Sequence, residues 1–553
     1  MECKKCNTKI EEGKEICPNC GNDNDQNVAT IGYKTIALAS DVALYYNNRG
    51  RVYSELKDYV NALEDCNKAV ALASDVALYY DSRGRVYNEL KDYANVLEDY
   101  KKAVALDPKS APYYNSRGDA YHKLKNYTNA LEDHNKAIAL DPQNALYYDS
   151  RGRTYSELKD YAKALEDHGK AIELDPGNAQ YYDNRGFVYL SKSDYPKALE
   201  DHNKAITLDP NNALYYKSRG RVYRMLEDYP NALADANKAV ELDPNDPLYY
   251  NSRGNTYLTL EDYPKALEDQ NKAIELDPND ARYYTSRGET YFNMEDYPNA
   301  LADFSKALEF APKVAQYYNN RGNAYQMQKD YGKALADYTQ AIELAPKNST
   351  YCNNRGDAHY KLEDYPKALS DYGKAIGLNP KNATYYSNCG LAYNKLEDLT
   401  NALAAYNKAI ELDPQNAPHY NNRGDVYYNQ ASYYDALKDY NKAIELNSKN
   451  ALYHSNRGFT HSRLKDYDKA LTDHSKSVEL APKTASYYNN RGDAYYNLQD
   501  YRKALPDYTQ AIELNPKKPC ITQIAGTLTT GWKITQKHWK ILKKPTSLIL
   551  AKS

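Results

Sequence analysis

A glycine recurs every 34 residues, from Gly50 to Gly492, fourteen times without an insertion or a deletion. In thirteen copies the residue before it is arginine; the variant is Cys389. A unit repeated without interruption builds a solenoid, in which each copy packs on its neighbours and not on a common centre. The length of 553 residues would otherwise suggest several globular domains, but it sets no limit on such an array. Solenoids present an extended surface, so binding is the class of function this pattern favours.

Within the first unit, Ala43 to Val76, Tyr46, Gly50 and Tyr53 stand at helical spacing. A break follows at Lys57-Asp58, and a second helix starts near Tyr59 with Ala62, Leu63, Cys66, Ala69, Val70 and Leu72 on its apolar stripe. Asp58 is placed as its N-cap. Later units put Pro196, Pro230, Pro264, Pro298 and Pro366 in the first turn of the second helix, where proline is tolerated. Gly50 and Ala62 allow the two helices to approach, and Ala69 does the same for the following unit. A proline such as Pro108, Pro142 or Pro516 closes twelve units, and Asn144, Asn178, Asn212 and Asp246 stand where the next helix needs a cap. This helix-turn-helix resembles the tetratricopeptide repeat over about residues 43–518. The resemblance implies an all-α right-handed superhelix of about fourteen units whose inner groove holds polypeptides without catalysis. Lys34 to Val42 repeats Lys68 to Val76, so residues 23–42 are assigned to a linker and a half-repeat helix.

One departure from that family is informative. The residue before the glycine is usually a buried leucine; here it is arginine, and an aspartate recurs in the second helix. In the eleventh unit both vanish, as Cys389 and Ala405. Joint loss points to an ion pair between the two helices of a unit, Arg49 with Asp65 and Arg117 with Asp133, the guanidinium donating in bidentate fashion.

Residues 1–22 carry Cys3-Lys-Lys-Cys6 and Cys17-Pro-Asn-Cys20-Gly21. Two Cys-x-x-Cys turns bring four thiolates within tetrahedral reach of one Zn2+. So short a segment has no core of its own, and the metal supplies its folding energy. The segment resembles a short zinc ribbon, with a spacer shorter than the common one. Four protein ligands leave no open position, so the expected zinc is structural.

The family's inner face carries Asn47, Asn115, Asn251, Asn319, Asn353, Asn421 and Asn489, with Asp149 and Asp183 between them. Asparagine amides can bond an extended peptide backbone, so these are the candidate partner-binding residues, together with Arg51 and Arg221. Arg85 and Arg153 share the latter position, with Glu55, Glu89 and Glu157 one turn after Arg51, Arg85 and Arg153 to match them. Farther along, Asp357, Asp425 and Asp493 take the same place, a change that suits a polypeptide better than a polyanion. Lys217 followed by Arg221 is the nearest approach to the family's carboxylate clamp and does not complete it. His134, His168 and His202 occupy one position in successive units, where other units hold Cys66, Tyr100 or Phe304. Stacked helices stand about 10 Å apart, too far for one shared ion, so these histidines read as core.

The net charge of −3, from 72 basic and 75 acidic residues, argues against a polyanion binder by bulk electrostatics. The 61 tyrosines recur at fixed places and read as structural. Cys66, Cys352, Cys389 and Cys520 are scattered, which fits a reducing, cytoplasmic setting and not a disulfide framework. No nucleophile–base constellation, P-loop or dinucleotide fingerprint is present, so no enzyme is expected. The tail 519–553, with Trp532 and Trp539, has six lysines and no acid after Ile521. The expected function is a scaffold binding protein or peptide partners. The alternative is a nucleic-acid-associated protein using the zinc ribbon and this tail.

Overall fold

Every unit folds as two helices because its apolar residues fall at helical spacing on both sides of one tight turn. The computed structural model describes residues 41–515. The zinc-ribbon cysteines, all but the end of segment 23–42, and the tail 519–553 lie outside the described residues. Twenty-eight helices, α1 to α28, follow one another among the described residues. Odd-numbered helices open each unit and even-numbered helices close it. α1 spans 41–55 and α2 spans Tyr59–Leu72; α27 spans Ala485–Asn497 and α28 spans Tyr501–Leu514. The chain divides after Pro278 into two compact bodies, the first ending with α14 (Tyr263–Leu276) and the second beginning with α15 (Ala281–Asn293).

The turn inside each unit is built the same way throughout. Its residue before the cap is left-handed in all fourteen units, with φ between 58° and 64°, and it is never glycine. In the first unit Lys57 N–H donates to the Ser54 carbonyl and Asp58 N–H to the Tyr53 carbonyl, each at 2.9 Å. These bonds satisfy carbonyls that the ending helix leaves open and offset the cost of the left-handed residue, about 1 kcal/mol. The Asp58 side chain then accepts from Asn61 N–H, capping α2. Asn144, Asn178, Asn212 and Asp246 each cap the following odd helix by accepting from the amide two residues on.

The two helices of a unit meet at the glycine. Ala62 and Ala69 are fully buried. A Cβ on Gly356 would lie 2.6 Å from Tyr372 Cε1 and 3.3 Å from the Ala368 carbonyl oxygen, so no side chain fits. Gly220 differs because Ala236 replaces the ring; its nearest neighbours would be Asp235 Cβ at 3.3 Å and a carbonyl at 3.4 Å. Gly356→Ala is therefore expected to destabilise by about 2 kcal/mol through overpacking. Gly220→Ala should be near neutral, because a helix-propensity gain of about 1 kcal/mol offsets a slight squeeze. Equal thermal shifts for the two variants would refute this account.

Candidate functional site

Thirteen units carry the arginine–aspartate pair. Arg117 Nε and Nη2 each donate at 2.7 Å to the two carboxylate oxygens of Asp133; Arg49 donates to Asp65 through the same two nitrogens, at 2.5 and 2.8 Å. The hydrogen bonds to Asp133 hold the Arg117 guanidinium above its ordinary range. The arginine also does something the sequence reading missed. Its free Nη1 reaches back to the preceding unit, from Arg151 to Asn135 Oδ1 at 2.7 Å and from Arg423 to Asn407 Oδ1 at 2.6 Å. One guanidinium thus ties three helices, while Tyr114 lies 5.4 Å from the Arg117 guanidinium as a cation–π partner. Where the pair is absent, Cys389 packs in an apolar cluster with Ala368, Tyr372 and Ala392, with Ala405 against it. Burial pushes the Cys389 thiol up to about 12, which leaves it unreactive.

The amide row lies elsewhere than expected. Asn47, Asn115, Asp149, Asp183, Asn319, Asn353 and Asn421 are buried, whereas Asn251 and Asn489 are half-buried and Arg51 and Arg221 exposed. In the second body Asn354 Nδ2 donates to Asn319 Oδ1, Asn388 to Asn353 and Asn456 to Asn421, at 2.9–3.0 Å. In the first, Asn184 Nδ2 donates to both oxygens of Asp149. The expectation that this row faces a ligand is corrected for the buried residues: packing hides them, and Asp149, Asn319, Asn353 and Asn421 bond an asparagine of the next first helix. Arg85 and Arg153 also pair with aspartates that precede them, Arg85 on its own helix and Arg153 on the first helix of the preceding unit. Arg85 Nε meets Asp81 at 3.0 Å and Arg153 Nη2 meets Asp119 at 3.1 Å, in place of the expected Glu89 and Glu157. A buried carboxylate demands a cation more strongly than an exposed one.

The core position behind the glycine completes the polar layer. His168 Nδ1 lies 2.9 Å from Asp149 Oδ1, and His202 Nδ1 2.9 Å from Asp183 Oδ1. In the second body tyrosines serve instead: Tyr372 donates to Asp357 and Tyr440 to Asp425, both at 2.7 Å. His134 is fully buried, and burial pushes its imidazole down to about 3. Burial pushes the Asp425 carboxyl up to about 6, against the opposing bond from Tyr440. Tyr406, Asn421 and Asn456 also face it, and none of them is a cation. The ordinary carboxyl value is about 3.9, so below that pH both folded and unfolded states hold the proton. Between about 3.9 and 6 the unfolded state ionises while the folded state still holds its proton, so stability falls across that window and levels off above 6. Asp425→Asn is expected to stabilise the second body by roughly 1–2 kcal/mol at pH 8, with the difference gone near pH 4. Urea midpoints at the two pH values check this, and an equal gap at both refutes it.

The exposed part of the first-helix face is a groove of about 580 Å³ in the first body. It crosses α5 (Ala111–Lys123), α7 (Ala145–Glu157), α9 (Ala179–Ser191), α11 (Ala213–Met225) and α13 (Pro247–Thr259). Its walls include Lys123, Arg153, Phe187, Leu190, Arg221 and Arg224. Of the expected partner-binding residues, Asp183, Arg221 and Asn251 line it. Sequence reasoning missed Phe187, Leu190 and Arg224, although their one- and two-turn spacing from the unit's polar row was available as a signal. Among the described residues no group of three His, Cys, Asp or Glu side chains is placed to hold a metal ion, and no helix is long and apolar enough to cross a membrane.

Family models described as the tetratricopeptide repeat match residues 43–76, 111–144, 145–178, 179–212, 281–314, 315–348, 353–417, 417–450 and 485–518, and a TPR repeat model matches 84–125, 220–261 and 254–295. No curated protein matches the sequence. Among solved structures, the crystal structure of the APC/C hetero-tetramer Cut9-Hcn1 is similar at a TM-score of 0.45 and 16% identity, over 83% of this chain and 98% of that one.

Proposed function

Because the chain belongs to the tetratricopeptide repeat family, we propose that it is a non-catalytic scaffold that holds polypeptide partners on its first-helix face. The observation that carries this reading is the open groove across α5 to α13. Packing between units occupies the amide row, the arginine bracket and the alanine contacts, whereas Phe187, Arg221 and Arg224 on the groove walls remain available. Its mixture of apolar, cationic and amide groups suits a peptide, whose backbone and side chains use all three.

Cys3, Cys6, Cys17 and Cys20 form a donor set that fits one structural Zn2+, since four thiolates complete a tetrahedral shell. Full-length protein should therefore carry one zinc per chain, and a Cys6→Ser, Cys20→Ser variant should lose it. Metal-free wild-type protein purified under reducing conditions, or full zinc content in the variant, would exclude the site. Thiolate ligation also fits an intracellular, reducing location.

Affinity purification of the full-length chain from its native cells, with and without nuclease, tests the scaffold. A defined set of polypeptides that survives nuclease is the expected result. Recovery of nucleic acid with proteins that vanish on nuclease treatment overturns it in favour of a nucleic-acid role for the cysteine module and the lysine-rich tail.

A further inference from the structure

The groove's walls are unequal in charge and polarity. Arg221 and Arg224 lie one turn apart on α11, and among the described residues neither has a carboxylate partner. This sets them apart from Arg85 and Arg153, which meet Asp81 and Asp119, and from Arg219, which meets Asp235. Burial and the neighbouring Arg221 charge both hold the Arg224 guanidinium below its ordinary range, the signature of a cation without an anion. Opposite them on α9 stand Phe187 and Leu190. Phe187 is 47% exposed, in a chain with only five phenylalanines, and it occupies the position after the glycine that most other units fill with a polar residue. The Arg221 guanidinium lies 5.8 Å from its ring. An exposed aromatic ring beside two uncompensated cations is a surface with complementary demands: an apolar side chain to cover the ring and carboxylates to answer the charges.

We propose that the groove between α9 and α11 takes an acidic polypeptide segment, seating a large apolar side chain on the exposed Phe187 ring and placing Asp or Glu side chains at Arg221 and Arg224. This deepens the scaffold reading and rests on it. The exposed ring favours a polypeptide over a nucleic acid, whose phosphates would use the arginines and leave Phe187 uncovered.

The test is selection of short random peptides on the full-length chain, in parallel with an Arg221→Gln, Arg224→Gln variant whose thermal unfolding matches wild type. The expected outcome is enrichment of sequences with Leu, Phe or Ile flanked by Asp or Glu. A labelled peptide made from that consensus should bind the variant about tenfold more weakly, in line with the loss of two rim charges. It should also weaken for Phe187→Ala and be indifferent to added single-stranded RNA. Neutral or basic consensus sequences, no enrichment, equal binding to the Gln variant, or displacement by RNA each overturn the proposal. Purification of the Gln variant from native cells separates the two readings. If its nuclease-resistant proteins are unchanged while the peptide result is negative, the groove assignment fails and the scaffold stands. If wild type itself retains no such proteins, the scaffold reading fails.

Discussion

Arg117→Ala will lower the stability of the first body by about 3 kcal/mol, and adding Asp133→Ala will restore part of the loss. The reasoning rests on which group is left behind. The Asp133 side chain is only 5% exposed, and both of its oxygens accept from the one guanidinium. Removing the arginine strands a carboxylate away from water, a loss typically near 3–5 kcal/mol. The Arg117 side chain is itself 19% exposed, so water and small shifts compensate in part and the low end applies. Replacing both partners removes the stranded charge, which is what the eleventh unit does with Cys389 and Ala405. Urea unfolding of the two single variants and the double variant, fitted as a linear array of coupled units, reads the coupling directly. Strictly additive losses would sink the pair as an energetic unit.

Pro506→Glu will stabilise the last unit by about 3 kcal/mol. Pro506 is the sixth residue of α28 and lies inside the helix. It removes the amide that would bond the Arg502 carbonyl, and its ring crowds that same carbonyl. Other units carry Glu64, Glu98 or Glu132 at this place, and the side chain points to solvent, so glutamate fits without repacking. Hydrogen exchange is the sensitive readout, because the terminal helices of an array open locally. Amides of α28 should exchange about a hundredfold more slowly in the variant, while those of α15 stay as they were. Unchanged exchange in α28 would mean that the proline is already accommodated without strain.

The helices were legible because periodicity, caps and terminal prolines agree, and the fixed 34-residue step removes doubt about phase. The arginine–aspartate pair was legible for a different reason: one unit loses both partners at once. The amide row was misread because helical phase tells which residues share a face but not whether another helix covers that face. Position by position, Asn353 looks as free as Asn255; only the stacking of α21 (Ala383–Lys395) on α19 (Ser349–Lys361) buries it under Asn388. Likewise, Arg85 stands four residues from both Asp81 and Glu89, and burial of the first decides between two partners that sequence treats alike. The left-handed turn residues gave no signal because lysine, glutamate, serine, alanine and glutamine, not glycine, fill them.

The bracket by which an arginine reaches back to the preceding unit is chemically the same at Arg83, Arg151, Arg219 and Arg253, and again at Arg423 and Arg457. A growing chain could thus dock a unit onto the wrong predecessor, skipping one copy or joining a second molecule, and still close that bond. The residues that differ between units oppose this. Asp149 is held by His168 below and by Asn184 from the following helix. Were α11 to take the place of α9, Ser218 would stand where Asn184 belongs, and the buried carboxylate would lose the two hydrogen bonds that Asn184 Nδ2 donates. The irregular polar contacts therefore act as address labels, each making assembly in the wrong order forfeit buried hydrogen bonds.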